Sequence, residues 1–93
     1  MRWFARTEQL IGPEGYARLG AARVAIYGLG GVGSYAVEAL ARAGVGHLQV
    51  VDHDVVNPTN LNRQLFALRS TLGRPKVEVA RKRILDINPD AQV

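Results

Sequence analysis

One hexapeptide, Gly28-Leu29-Gly30-Gly31-Val32-Gly33, limits what this chain can become. It follows the short β-rich run Arg23-Val24-Ala25-Ile26-Tyr27 and precedes apolar residues at helical spacing. A glycine turn between a buried strand and a helix cradles phosphate. Gly28 permits the tight turn, Gly30 and Gly31 leave room for a phosphate to approach the backbone, and Gly33 allows helix and strand to pack closely. The helix start adds free N–H groups and a partial positive charge. Asp52 lies nineteen residues beyond Gly33, at the end of a second strand-like run, His47 to Val51. A carboxylate there can accept hydrogen bonds from ribose hydroxyls. The turn alone does not choose among NAD, FAD and ATP.

The surrounding pattern completes half of a nucleotide-binding sheet. Residues 1–22 read as a short helical arm, with Thr7 a possible cap and Gly12-Pro13 a break before Glu14 to Leu19. Val32, Ala36, Ala39, Leu40 and Ala43 fall on one helical stripe, with Glu38 and Arg42 at i,i+4 on the other side, and Gly44 and Gly46 stop the helix. From Asp54 to Gly73 the pattern is irregular; Asn57-Pro58 signals a turn, and only short helical turns are expected. A further helix starts at Arg74-Pro75 with Pro75 in its first turn. Its core stripe is Val77, Ala80, Ile84 and Ile87, its wet face Glu78, Arg81, Lys82 and Asp86, and it ends at Asn88-Pro89. Ala91-Gln92-Val93 reads as the start of a third strand. The fold class is therefore α/β: a Rossmann-like doubly wound parallel sheet, of which residues 23–93 supply the N-terminal mononucleotide-binding half. Two strands leave much parallel-sheet surface uncovered, so the 93 residues are expected to be one incomplete domain of a longer protein.

Composition closes off several function classes. With no cysteine, a disulfide framework, a thiolate metal site and a cysteine nucleophile are excluded. No run of 18 apolar residues suggests a membrane span, and Arg6 and Glu8 interrupt the N-terminal apolar run, which does not read as a secretory signal. A cytoplasmic protein is the expectation. The net charge of +4 rests on ten arginines and two lysines, compatible with a polyanionic partner but equally with a solvated basic surface, because no cluster interleaves aromatics for base stacking. His47 and His53 are isolated histidines, read as structural, and no metal cluster is built from them.

The segment after Asp52 favours a triphosphate over a dinucleotide. Asp54, Asn60, Arg63 and Gln64 crowd one loop, and Lys76 opens the next helix. Arg63 offers a forked donor and Lys76 a mobile point charge to phosphate oxygens. Asn60 and Gln64 can donate amide hydrogens or order the loop, and Asp54 can orient Arg63 or reach a metal-bound water.

Taken together, Gly28-Leu29-Gly30-Gly31-Val32-Gly33, Asp52-His53-Asp54, Asn60-Leu61-Asn62-Arg63-Gln64 and Gly73-Arg74-Pro75-Lys76 resemble, in order and spacing, the ThiF-type adenylation domain of the ubiquitin-activating-enzyme-like adenylyltransferases. Thr59 to Gln64, Phe66-Ala67-Leu68-Arg69 and Ile87-Asn88-Pro89 look most like the tRNA threonylcarbamoyladenosine dehydratase branch. The resemblance implies an ATP-dependent, homodimeric enzyme that activates a carboxylate, with tRNA or a ubiquitin-like sulfur-carrier protein as acceptor. Gly28, Gly30, Gly31, Gly33, Asp52, Asp54, Asn60, Arg63, Gln64 and Lys76 would hold the nucleotide. Arg63 and Lys76, with Arg6 reaching across a dimer, would be its catalytic cations. The family's Mg²⁺ ligand and acceptor surface correspond to nothing in these 93 residues. The rival readings are a sulfur-carrier adenylyltransferase, a dinucleotide-binding oxidoreductase fragment, and a nucleotide-binding remnant without turnover.

Overall fold

In a computed structural model that describes residues 3–93, two parallel strands carry the architecture. β1 (Arg23–Tyr27) pairs with β2 (His47–Val51) in the register Arg23↔His47 through Tyr27↔Val51. A helix crosses between them, α2 (Gly31–Ala43), and a long loop leads from β2 to α3 (Lys76–Ile87). Beyond α3 the chain returns to the sheet: Leu48 N–H donates to the Gln92 carbonyl at 2.9 Å and Gln92 N–H to the Gly46 carbonyl at 2.8 Å. These bonds form an isolated parallel bridge, His47↔Gln92, on the side of β2 away from β1.

Both strands begin and end where the β-rich runs do, β1 stopping before Gly28 and β2 starting after Gly46 and stopping before Asp52. Gly28 takes φ +93°, a conformation that favours glycine, and its N–H donates to the Val51 carbonyl at 2.8 Å, tying the end of β1 to that of β2. A Cβ on Gly33 would overlap the Gly28 carbonyl oxygen, so α2 passes the strand end with no space for a side chain. α2 stops at Gly44, in the left-handed conformation (φ +98°).

The core between sheet and helices contains Ile26, Leu29, Val37, Ala41, Val45, Leu48, Val56, Phe66, Val79, Ala80 and Ile84. Three details depart from the sequence reading. The buried line of α2 is Ser34, Val37 and Ala41, whereas Val32 is 89% exposed; the apolar stripe read from the sequence is not the side that packs on the sheet, because small and polar residues with good packing can outcompete larger apolar ones for the inward face. In α3 the fully buried residues include Val79 as well as Ala80 and Ile84, with Val77 and Ile87 packed at the margin. Pro75 is the N-cap of α3 rather than a first-turn residue.

The N-terminal helix α1 (Ala5–Ala21) bends at Gly12 (φ 81°, ψ 166°), just before Pro13, where the break was predicted. Phe4, not Thr7, is its N-cap, and none of its residues is fully buried. Phe4 and Tyr16 approach Gly44, at the C-terminal end of α2. The arm therefore packs at the opposite end of α2 from the glycine turn.

Helices α2 and α3 are braced by charge. Glu38 accepts from Arg83 Nε at 2.6 Å and Nη2 at 3.0 Å, and from Arg42 Nε at 3.0 Å. The i,i+4 pair is the one predicted, but Glu38 does not face away from the structure: its side chain is 15% exposed and joins two helices. Hydrogen bonding from Arg83 holds its carboxyl below the ordinary value of 4.5, against the upward push of burial and with further help from Arg42. A depressed folded-state pKa contributes stability that is present above the unfolded value and lost as pH falls through the folded one. Stability should thus fall below pH 4.5, and in Glu38→Gln that part of the acid dependence should vanish from urea midpoints measured across the window. Gly33→Ala should cost about 3 kcal/mol or more by the same assay, since the methyl group meets backbone rather than a movable side chain.

Candidate nucleotide-binding site

Asp52 closes the carboxyl end of the sheet. Its Oδ2 accepts the Leu29 N–H at 2.6 Å and its Oδ1 the Asp54 N–H at 2.7 Å. One carboxylate thus holds the glycine turn to the start of the loop after β2. Burial pushes the Asp52 carboxyl up, but the Leu29 and Asp54 N–H groups, the Lys76 ammonium and His53 together bring it below its ordinary value of 3.8. The group is anionic at neutral pH, and an ionised carboxylate has about four lone-pair sites, so two backbone bonds leave capacity for hydroxyl donors.

Above Asp52, α2 starts at Gly30 with no side-chain cap and no acidic residue in its first turn. Its first N–H groups and its positive end are open to an anion. The loop of residues 60–67 lies over this opening. A Cβ on Gly31 would sit 3.7 Å from Arg63 Cγ, and one on Gly30 would sit 3.9 Å from Gln64 Nε2. Glycine here lets the two polar side chains and a ligand share the space above the turn.

The loop holds its position although it is irregular. Asn60 is buried, and its Oδ1 accepts the Asn57 N–H at 3.0 Å while the Asn57 side chain accepts from Thr59. Asn60 orders the loop through its Oδ1. Phe66 is fully buried and anchors the far side. Ser34, which sequence reasoning missed, locks the two parts together: fully buried on α2, it donates to the Gly31 carbonyl at 3.1 Å and accepts the Leu65 N–H at 3.2 Å. A serine in register with Val37 and Ala41 was the available signal, since a polar group on a buried face needs partners.

The two cations differ in setting. Arg63 is exposed, and its Nη1 donates to the Thr59 carbonyl at 3.0 Å and to Asn62 Oδ1 at 2.9 Å. It is oriented by its own loop and not by Asp54, whose carboxylate lies 3.3 Å from His53 Nε2. Lys76 is only 5% exposed, and its backbone N–H donates to the Asp54 carbonyl at 3.0 Å. Among the described residues, no carboxylate lies within ion-pair distance of its ammonium. The nearby charge it answers is that of Asp52, whose carboxyl it helps to lower, and with no direct ion pair it is free to meet a phosphate oxygen. Asp52, His53 and Asp54 bring ligand-type atoms within 4.8 Å of one another, a grouping the sequence reading did not anticipate. Arg6 is exposed on the first turn of α1, at the other end of α2, and does not join this group within one chain.

Residues 4–93 match the ThiF family. The chain is a ThiF-family protein. It is 56% identical over 90 residues to the tRNA threonylcarbamoyladenosine dehydratase of Bacillus subtilis (strain 168), covering 97% of this chain and 35% of that one. It is 49% identical over 76 residues to the molybdopterin-synthase adenylyltransferase of Salmonella typhimurium (strain LT2), covering 82% of this chain and 30% of the relative. Among solved structures, the Escherichia coli tRNA N6-threonylcarbamoyladenosine dehydratase TcdA, crystallised in complex with ATP, superposes with a TM-score of 0.95 at 44% identity, covering 97% of this chain and 37% of that one. The ThiF-family chain thus spans about a third of the length of the curated relatives it matches.

Asp52→Asn tests the geometry of the site. The amide keeps one acceptor but turns an NH₂ toward the second backbone N–H, leaving a donor facing a donor. The expected cost is about 1–3 kcal/mol of folding stability, read from the thermal midpoint, together with loss of hydrogen-exchange protection at the Leu29 amide.

Proposed function

We propose that the protein to which these 93 residues belong activates a carboxylate with ATP, releasing pyrophosphate and forming an acyl-adenylate. The observation that carries this reading is the Lys76 cation, free of any direct ion pair among the described residues, beside Asp52 and an uncapped glycine-rich helix start. The ribose would hydrogen-bond to Asp52, and the phosphates would lie on the Gly28–Gly33 turn beneath Arg63 and Gln64. A carboxylate oxygen of the acceptor attacks the α-phosphorus, the bond to the β,γ-diphosphate breaks, and pyrophosphate leaves with the electron pair. Arg63 and Lys76 neutralise charge that grows on the phosphate oxygens in that step. Mg²⁺ enters with the triphosphate, and none of these residues is assigned as its ligand.

In this reading the acceptor is threonylcarbamoyladenosine in tRNA, whose activated carboxylate then cyclises with loss of AMP. Support comes from the 56% identity to a dehydratase acting under that name. The second reading, activation of a ubiquitin-like sulfur carrier at its C-terminal glycine, is supported by the 49% identity to a molybdopterin-synthase adenylyltransferase. Arg6 is assigned to the partner's site in a homodimer, which agrees with its distance from the glycine turn of its own chain. Among the described residues, no helix is long and apolar enough to cross a membrane; a cytoplasmic location is part of this reading.

Pyrophosphate release by the full-length protein with threonylcarbamoyl-modified tRNA tests the reaction. Lys76→Ala should lower kcat by about 10²–10³, the loss typical of one charge-stabilising donor. ATP turnover with the sulfur carrier and none with modified tRNA would favour the second reading, and no turnover with either would overturn both.

A further inference from the structure

The entire net charge of this chain lies in one segment. Residues 55–77 contain Arg63, Arg69, Arg74 and Lys76 and no Asp or Glu, while the other eight cations balance the eight carboxylates. Two of the four, Arg63 and Lys76, belong to the nucleotide site. The other two do not: Arg69 and Arg74 are exposed, and among the described residues neither has an ion-pair partner.

Their placement follows from the backbone. The Leu68–Arg74 strap is wound into consecutive turns, Thr71 N–H donating to the Leu68 carbonyl at 2.9 Å and Arg74 N–H to the Thr71 carbonyl at 3.1 Å. It is fastened to the loop leaving Asp52: Val56 N–H donates to the Arg74 carbonyl at 2.9 Å and Gly73 N–H to the Val56 carbonyl at 2.8 Å. The Thr71 hydroxyl, donating to the Phe66 carbonyl at 2.7 Å, holds its other side. Arg74 is thus fixed beside the nucleotide site by main-chain bonds, two residues before Lys76. On its outer side it shares a groove of about 270 Å³ with Leu68, Thr71 and Lys82. Lys82 is also exposed and unpaired among the described residues, Arg83 in the same groove is committed to Glu38, and Asp86 is the one acid lining it.

From this we infer that Arg69, Arg74 and Lys82 form a docking rim for the phosphodiester backbone of an RNA whose modified nucleotide enters the adjoining ATP site; the inference rests on the tRNA reading proposed above. Arg74 and Lys82 line the groove and Arg69 sits on the strap turn that borders it, and several unpaired cations beside a phosphate site match a ligand with repeated negative charge. The C-terminal tail of a carrier protein ending in glycine offers a single carboxylate. No aromatic side chain is exposed in the groove, since Phe66 is 2% exposed, so the rim binds backbone and does not read bases.

Binding of threonylcarbamoyl-modified tRNA to the full-length protein, measured by fluorescence anisotropy at several salt concentrations, tests the rim. Each lost phosphate contact lowers the slope of log Kd against log salt by about 0.7–0.9, so Arg69→Ala/Arg74→Ala should lower it by about 1.5 while the Kd for ATP stays unchanged. Arg69→Lys/Arg74→Lys should restore the slope, because point charges suffice for backbone binding. An unchanged slope in the alanine variant would overturn the rim and leave the proposed reaction standing. So would weakened binding of a ubiquitin-like carrier with tRNA binding intact. Failure of the unmodified protein to bind tRNA at all would instead overturn the tRNA reading itself.

Discussion

The structure depends on the Asp52 carboxylate and the two backbone N–H groups it holds, those of Leu29 and Asp54. Parallel strands present their carboxyl ends side by side, and at that edge the chain must turn twice within a few ångströms. Asp52 satisfies a donor from each turn with one group. Because it accepts backbone N–H groups at 2.6 and 2.7 Å, with Lys76 and His53 adding to their effect, it stays ionised against the upward push of its partial burial. The glycine turn is thereby preorganised, and with it the positive end of α2.

A second constraint comes from the long connection between β2 and α3. Loops of this length without regular structure are uncommon in compact domains and usually serve function. Here order comes from a few buried anchors rather than from secondary structure. Val56, Asn60, Gln64, Phe66 and Ala67 are all buried, Ser34 reaches across from α2 to the Leu65 N–H, and Leu29 seals the turn from below. The result is a loop that places Arg63 over Gly31 and passes directly to Lys76. Phosphate binding and loop packing are one arrangement, which is why polar and apolar positions alternate so irregularly between Asp54 and Gly73.

Much of this was legible in the chain. Both strands fall on their β-rich runs to the residue, since Gly28 ends β1 and Gly46 and Asp52 bound β2. Gly44, Asn88 and the Gly12-Pro13 break end or bend helices where backbone chemistry demands it. What could not be read is relational. Glu38 looked like a solvent-facing i,i+4 partner because Arg83, 45 residues away, announces itself in no local pattern. The inward side of α2 was misjudged because larger apolar residues such as Val32 and Leu40 mark a different stripe, and only packing against the sheet selects Ser34, Val37 and Ala41. The contrast between an exposed Arg63 and a buried Lys76 also needed coordinates, since both are simply cations in sequence.

The central claim is that this site holds a nucleoside triphosphate and not a dinucleotide. Titration calorimetry of the full-length protein with Mg·ATP and, separately, with NAD tests it most directly. Binding of ATP, lost in Lys76→Ala, with no heat from NAD is the predicted result. Saturable binding of NAD without binding of ATP would contradict it.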